Sequence, residues 1–240
     1  MSRVVAVIGA GPGLGGAVAV RFARAGYSVA LLTRKHESVV SVEKELTETG
    51  AKFLWVSCDS GVEENIKSAF ATIKKELGPV QTLVYNAAGQ YKQAPILEVK
   101  GEDILAQLSV QTLGLLWASQ TVLPDMVAAK DGVILVTSAT AGYRANAKNA
   151  VFSIAKHSAR ALTHSIAREH GPNGVHAVNI RIDCAIDSER ARQWLGDKYS
   201  PEAVGSPAAL ADTYFWLSQQ PKGGWTNEID LRPSRENWTC

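Results

Sequence analysis

Gly9, Gly11, Gly13, Gly15 and Gly16 crowd the turn in VIGAGPGLGG, which follows an apolar run and opens into a helical pattern. Glycines at such a turn let the backbone approach a pyrophosphate. The N-terminus of the following helix adds free N–H groups and a positive dipole end. A tight structural turn is the plain alternative, but the strand-to-helix context at the start of the chain favours the phosphate cradle. A second group closes the next apolar run, in LLTRKH. A dinucleotide fold that prefers NAD places an acidic residue here for the ribose hydroxyls, whereas this chain has Thr33, Arg34 and Lys35. The planar arginine fork donates two hydrogen bonds to a phosphate. The expected cofactor is therefore NADP(H), preferred over NAD(H), with a solvated basic turn as the bland reading.

These groups need elements to hold them. β-branched, apolar runs at 3–9, 27–33, 51–57, 80–86, 132–138 and 175–182 read as strands, and 228–233 could supply one more. Helical patterns fit 14–25, 37–49, 62–76, 102–127 and 149–170 between them. Near-continuous hydrophobic strands alternating with helices predict an α/β fold: a Rossmann-type, doubly wound, mainly parallel sheet covered on both faces. Right-handed crossovers then put ligands at the carboxyl ends of the strands. No linker or internal repeat divides the chain, so residues 1–240 are expected to form a single domain.

Composition narrows the function. Hydrophobic residues make up 46% and charged residues 20% of the 240, the mix of a soluble protein with a sizeable core. A net charge of +2 carries no footprint for nucleic acid or membrane, and no apolar stretch reaches membrane-spanning length. Cys58, Cys184 and Cys240 are too few and scattered for a disulfide framework or a metal site. With no cleavage site near the N-terminus, a cytoplasmic, reduced protein is expected.

The ordered motifs resemble those of the short-chain dehydrogenase/reductase family over nearly the whole chain. Gly9-Ala10-Gly11-Pro12-Gly13-Leu14-Gly15 matches that family's Gly-x-x-x-Gly-x-Gly cofactor loop. Asp59 falls where the family contacts adenine, and Asn86-Ala87-Ala88-Gly89 matches its Asn-Ala-Gly segment. Ser138 falls on the catalytic serine and Lys156 on the lysine of Tyr-x-x-x-Lys. The resemblance implies cofactor contacts from Gly9, Gly13, Leu14 and Gly15, from Thr33, Arg34 and Asp59, and from Asn86, Ala87 and Gly89. Lys156, Ile186 and Ser188 would complete them. It also implies a small-molecule substrate and, through helices at 102–127 and 149–170, a homodimer or homotetramer.

The departures cluster. Phe152 stands where ordinary members have the tyrosine that protonates the substrate carbonyl, Gln111 where they have an asparagine tied to a proton-relay water. IDCAID (182–187) puts Asp183 and Cys184 in place of a Pro-Gly pair. Positioned acid–base catalysis is worth about 10²–10⁴ in rate, and a benzene ring supplies none of it. Tyr143, just beyond Ser138, is the first candidate for a replacement acid, with a packed loop aromatic as its plain reading. Tyr91 could reach in from a loop, whereas Ser153 points about 100° away from Phe152 on a helix. Asp183 and Asp187 read more naturally as caps or turns, and His157 with His164 as a packed or solvated face rather than a metal site.

A protonated imine is the substrate that would need no acid, with Phe152 offering a cation–π face. The segment 188–206 is expected to form a substrate lid, with Trp194 and Tyr199 as walls and Arg190 and Arg192 as anion contacts. An ordinary amphipathic helix is the alternative there. Two functions stay open: an NADP(H)-dependent oxidoreductase acting on a small carbonyl, alcohol or imine, or an NADP(H)-binding sensor or scaffold without turnover.

Overall fold

A strand that is apolar at every position can be buried only if both faces of its sheet are covered. Val4–Ile8, the first strand (β1), is buried at all five positions. β2 (Ser28–Thr33), β3 (Phe53–Ser57), β4 (Thr82–Tyr85), β5 (Gly132–Ala139), β6 (Val175–Ile182) and β7 (Glu228–Leu231) complete one sheet, ordered β3-β2-β1-β4-β5-β6-β7. Every neighbouring pair is parallel. The computed structural model describes residues 3–235, apart from the side chain of Arg190.

Helices α1 (Leu14–Arg24), α2 (Val40–Thr49) and α8 (Pro207–Ser218) cover one face. Helices α3 (Glu63–Glu76), α5 (Gly114–Ala129) and α6 (Ala150–His170) cover the other. The period of two in β1 divides it between these layers: Val5 and Val7 meet the first, Val4, Ala6 and Ile8 the second. On β5, Ile134 and Val136 belong to the second layer, so Ser138 points to the side where α6 lies. Chain order reverses between β1 and β4. The connections leaving these strands diverge to opposite faces and open a crevice at their carboxyl ends.

The expected doubly wound parallel sheet is thus present, including the strand foreseen at 228–233. Three local features differ from expectation. The helix expected over 37–49 is preceded by a 3-10 turn, His36–Ser38, and becomes α-helical at Val40. The helix expected over 102–127 is α4 (Gly101–Leu108) and α5, joined by a π turn at Ser109–Leu113. Tertiary hydrogen bonds account for that turn: Ser109 Oγ donates to Gly61 O at 2.8 Å, Tyr85 OH donates to Val110 O, and Thr112 Oγ1 pairs with Ser158 Oγ at 2.7 Å. Helix α8 was not foreseen, because its apolar residues spread around the axis instead of forming one stripe. Its start was legible all the same: Ser206 Oγ accepts from Ala209 N and Pro207 occupies the first turn.

No helix among the described residues is long and apolar enough to cross a membrane. At the start of α5, a Cβ on Gly114 would run into the Ser60 carbonyl and the Tyr85 hydroxyl. Gly114→Ala is expected to destabilise the fold by about 1–3 kcal/mol through overpacking. The reading is a lower denaturant midpoint at unchanged slope.

Candidate functional site: a dinucleotide cleft with a buried lysine

A cleft of about 790 Å³ lies along the carboxyl ends of β1, β2 and β4, lined by Gly9, Gly11, Arg34, Asp59, Asn86 and Gly89 among others. Its floor depends on close backbone approach. Gly9 adopts φ +83°, and a Cβ there would lie 2.9 Å from the Asn86–Ala87 peptide. Asn86 ties the two turns together: its N–H donates to Ile8 O and its Nδ2 to Gly9 O, both at 2.9 Å. A Cβ on Gly15 would meet the Gly9 carbonyl, so helix and strand can pack this tightly only with glycine there. Around Gly13 and Gly11, by contrast, the added Cβ would meet open space or nothing nearer than 3.9 Å.

Helix α1 begins at Gly13, with no side-chain cap and no acidic residue in its first turn. Its free N–H groups and positive dipole end are therefore left for an anion. Leu14 anchors that turn in the core at 5% exposure. At the rim, Arg34 and Lys35 are exposed, while Thr33 Oγ1 donates to Lys35 O at 2.9 Å and accepts from Trp55 Nε1 at 3.0 Å. The Thr33 hydroxyl thus shapes the turn that carries Arg34. Asp59 Oδ1 accepts from Gly61 N at 2.9 Å, and beside it burial pushes the Cys58 thiol up to about 11.

Beyond Asn86 lies the candidate reaction centre. Lys156 on α6 is buried, and its Nζ donates to Thr137 O at 2.8 Å. Burial alone lowers this ammonium to about 8. Ser138 is 3% exposed, and its Oγ has no hydrogen-bond partner among the described residues. Phe152, one turn before Lys156, has its ring centre 5.6 Å from Nζ and meets Tyr91 edge-to-face at 5.3 Å. Gln111, in the π turn, is 1% exposed; its Nε2 donates to Gln107 Oε1, and Gln107 Nε2 in turn to Gln90 O, each at 2.5 Å. That amide chain links the π turn to the segment after β4, a tie between segments that residue type and spacing do not show.

The structure does not bring Tyr143 to this centre. Its hydroxyl accepts from Asn179 Nδ2 at 2.8 Å, and Asn179 pairs with Val136 in the β5–β6 register, two residues back from the end that carries Ser138. Its ring is clamped between the guanidinium groups of Arg160 and Arg181 at 4.1 and 4.2 Å. Burial, followed by the charge of Glu228, raises its phenol above the ordinary tyrosine range, the wrong direction for an acid at neutral pH. Its plain reading as a packed aromatic describes the place it occupies.

Asp183 and Asp187 also take structural roles. Asp183 accepts from Thr140 Oγ1 and pairs with the buried Arg232 at 2.5 Å. Asp187 receives Arg192 through Nε and Nη2, both at 2.9 Å, and this hydrogen-bonded pair lowers its carboxyl below the usual range. Arg192 is thereby engaged within the chain. Ile186 bridges Gly205, and Ser188 Oγ caps α7 (Glu189–Leu195) by accepting from Ala191 N at 3.1 Å. Trp194 is 77% exposed, so it does not form an interior pocket wall here. The Arg190 side chain and Cys240 lie outside the described residues.

Where α6 faces β7, half-buried His164 and Arg160 both contact Glu228 at 2.5 Å, and His157 Nδ1 contacts Ser153 O at 2.8 Å. Among the described residues no group of three His, Cys, Asp or Glu side chains could hold a metal.

A glycine-lined cleft at the switch point, a bare helix N-terminus and a buried lysine define a dinucleotide-binding α/β protein. The sequence pattern of the short chain dehydrogenase family matches residues 3–194, and the chain belongs to that family of oxidoreductases. It is 34% identical over 226 residues to carbonyl reductase family member 4 of Danio rerio, covering 92% of this chain and 93% of that protein. A short-chain dehydrogenase from Rhodopseudomonas palustris superposes with TM-score 0.83 at 28% identity, over 96% of this chain and 98% of that one. The alcohol dehydrogenase of Thermococcus sibiricus, solved with 5-hydroxy-NADP, shares the fold with TM-score 0.86 at 22% identity over the full length of both chains.

These residues fit a nicotinamide dinucleotide: the bare α1 terminus suits its pyrophosphate, and the spare donors of Lys156 suit hydroxyl groups. Asn86→Ala removes the donor that holds the Gly9 carbonyl, worth about 1 kcal/mol. Calorimetric titration is expected to show dinucleotide binding weakened by about fivefold to tenfold.

Proposed function

We propose that this protein is an NADP(H)-dependent oxidoreductase that moves hydride to or from a small carbonyl or alcohol, through a site lacking the family's usual tyrosine acid. The observation that carries this reading is a cleft at the carboxyl ends of β1, β2 and β4, lined by the glycine turn and Asn86, in a chain that also buries Lys156 on α6 and, at the end of β5, a Ser138 hydroxyl without a partner among the described residues. The bound nicotinamide supplies or accepts the hydride. The chain's own residues do the rest. The α1 N-terminus and the glycine turn hold the pyrophosphate, and Lys156 donates to the nicotinamide ribose. Ser138 Oγ donates to the substrate oxygen, and Phe152 with Tyr91 walls the reacting carbon from water.

The preference for the phosphorylated cofactor rests on Arg34 and Lys35, which are exposed just beyond β2 and line the cleft at the position where an NAD-preferring fold carries an acidic residue. A guanidinium matches a 2′-phosphate and gains nothing comparable from ribose hydroxyls. Exposed Leu105, Leu113 and Ile154 on the α4–α6 face support association of copies of this chain as a homodimer or homotetramer.

Arg34→Ala tests the assignment. Loss of a charge-assisted hydrogen bond, about 1.5–3 kcal/mol, should weaken NADPH binding by about 10- to 100-fold and leave NADH nearly unchanged. An equal effect on both cofactors, or none on either, would sink it.

A further inference from the structure

Lys156 carries three N–H donors, and among the described residues one of them is engaged, by Thr137 O at 2.8 Å. That carbonyl belongs to the peptide joining Thr137 to Ser138. The ammonium is therefore docked one bond system away from the buried serine hydroxyl, which has no partner among the described residues. Gly142 closes the far side: a Cβ there would lie 2.7 Å from Ser138 Oγ and 3.3 Å from the Lys156 carbonyl. Facing the ammonium is the Phe152 ring, which can neither accept nor give a proton. A lysine is rarely this buried without a carboxylate.

We propose that Lys156 is itself the proton donor of this site, its ammonium protonating the oxygen of a carbonyl substrate that Ser138 holds. The inference rests on the reductase reading and names its acid. As a reduced nicotinamide delivers hydride to the carbonyl carbon, the C–O π pair moves onto oxygen. That oxygen takes a proton from Nζ, giving the alcohol and a neutral amine, and the amine recovers its proton from water. The ammonium also stabilises the developing negative charge before the transfer is complete.

Among the described residues, the charged groups on the elements around Lys156 are mostly engaged elsewhere. β5 and the π turn carry no titratable side chain. On α4, Asp103 is paired with Lys92 at 2.8 Å and Glu102 lies near Lys100 at 3.5 Å. On β6 and just after it, His176 contacts Thr226 O, Arg181 pairs with Asp230, and Asp183 pairs with Arg232. On α6 itself, His157 contacts Ser153 O, while Arg160 and His164 meet Glu228. Tyr143 bonds Asn179, and Tyr91 OH accepts from Gln93 Nε2.

The test uses the whole chain with NADPH, an α-keto ester and a vicinal diketone, from about pH 6 to about pH 10. Since the ammonium is the acid, kcat/KM for reduction should be level below about pH 8 and fall about tenfold per unit above it. In isotope-labelled protein without cofactor, one lysine should titrate in the same range, well below the usual value of about 10.4. Its resonance should vanish in Lys156→Met.

Lys156→Arg keeps the cation and its donors but does not release a proton in this range. It should retain NADPH binding while kcat falls on the order of 10²-fold. A flat wild-type pH profile, full turnover in either variant, or a lysine set titrating wholly near its usual value overturns the inference alone. Wild-type protein that binds NADPH yet reduces neither carbonyl at any pH overturns the reductase reading, and this inference with it.

Discussion

The contact between the glycine turn after β1 and Asn86 after β4 is the constraint from which the rest of the structure follows. Two parallel strands are adjacent in space but far apart in sequence, and their carboxyl ends meet through Asn86 and the Gly9 carbonyl. At 2.9 Å from the facing peptide there is no room for a Cβ on Gly9. Together with the close contact of Gly15 on the Gly9 carbonyl, that approach sets how tightly α1 packs against the sheet beside the cleft. It also aligns the segment after β4, whose Gln90 carbonyl is tied through Gln107 to Gln111. The glycine turn after β1 and the segment after β4 are thus parts of one connected framework.

A second constraint is electrostatic. The candidate reaction centre combines a buried ammonium, a hydroxyl without a partner among the described residues and an aromatic pair, with the nearby carboxylates engaged elsewhere. Asp183 is held by Arg232 and Thr140, and Glu228 by Arg160 and His164. Because no anion offsets its burial, Lys156 is lowered to about 8. A tyrosine beside such a lysine would have its own proton loosened by the ammonium. Phe152 leaves the amine without that neighbour, and so changes which group can titrate near neutral pH.

Much of the fold could be read from pattern. Strands that are apolar at every position announced a sheet covered on both faces, and the glycine turn announced the sharp strand-to-helix junction that borders the cleft. Gly9, Gly11, Arg34, Asp59, Asn86, Ala87 and Gly89 all line the same cleft. What could not be read were features whose causes lie outside their own segment. The π turn at Ser109–Leu113 exists because Gly61, Tyr85 and Ser158 claim its polar groups. Helix α8 hid behind apolar residues on several faces. Arg192 of the 188–206 segment reads as an anion contact, but Asp187 lies close enough to engage it.

The sequence by itself determined the class of fold, the glycine turn between β1 and α1 and the absence of an ionisable group at position 152, because these depend on local residue type and period. Only the tertiary structure decided where protons can reside. Tyr143 stands close to Ser138 along the chain, yet its hydroxyl is drawn back to Asn179 and its ring is held between two arginines from other elements. Lys156 acquires its lowered proton affinity from layers of packing contributed by distant segments. Acid strength is set by solvent exclusion and neighbouring charge in three dimensions, and the spacing of NAVFSIAKHSAR carries neither.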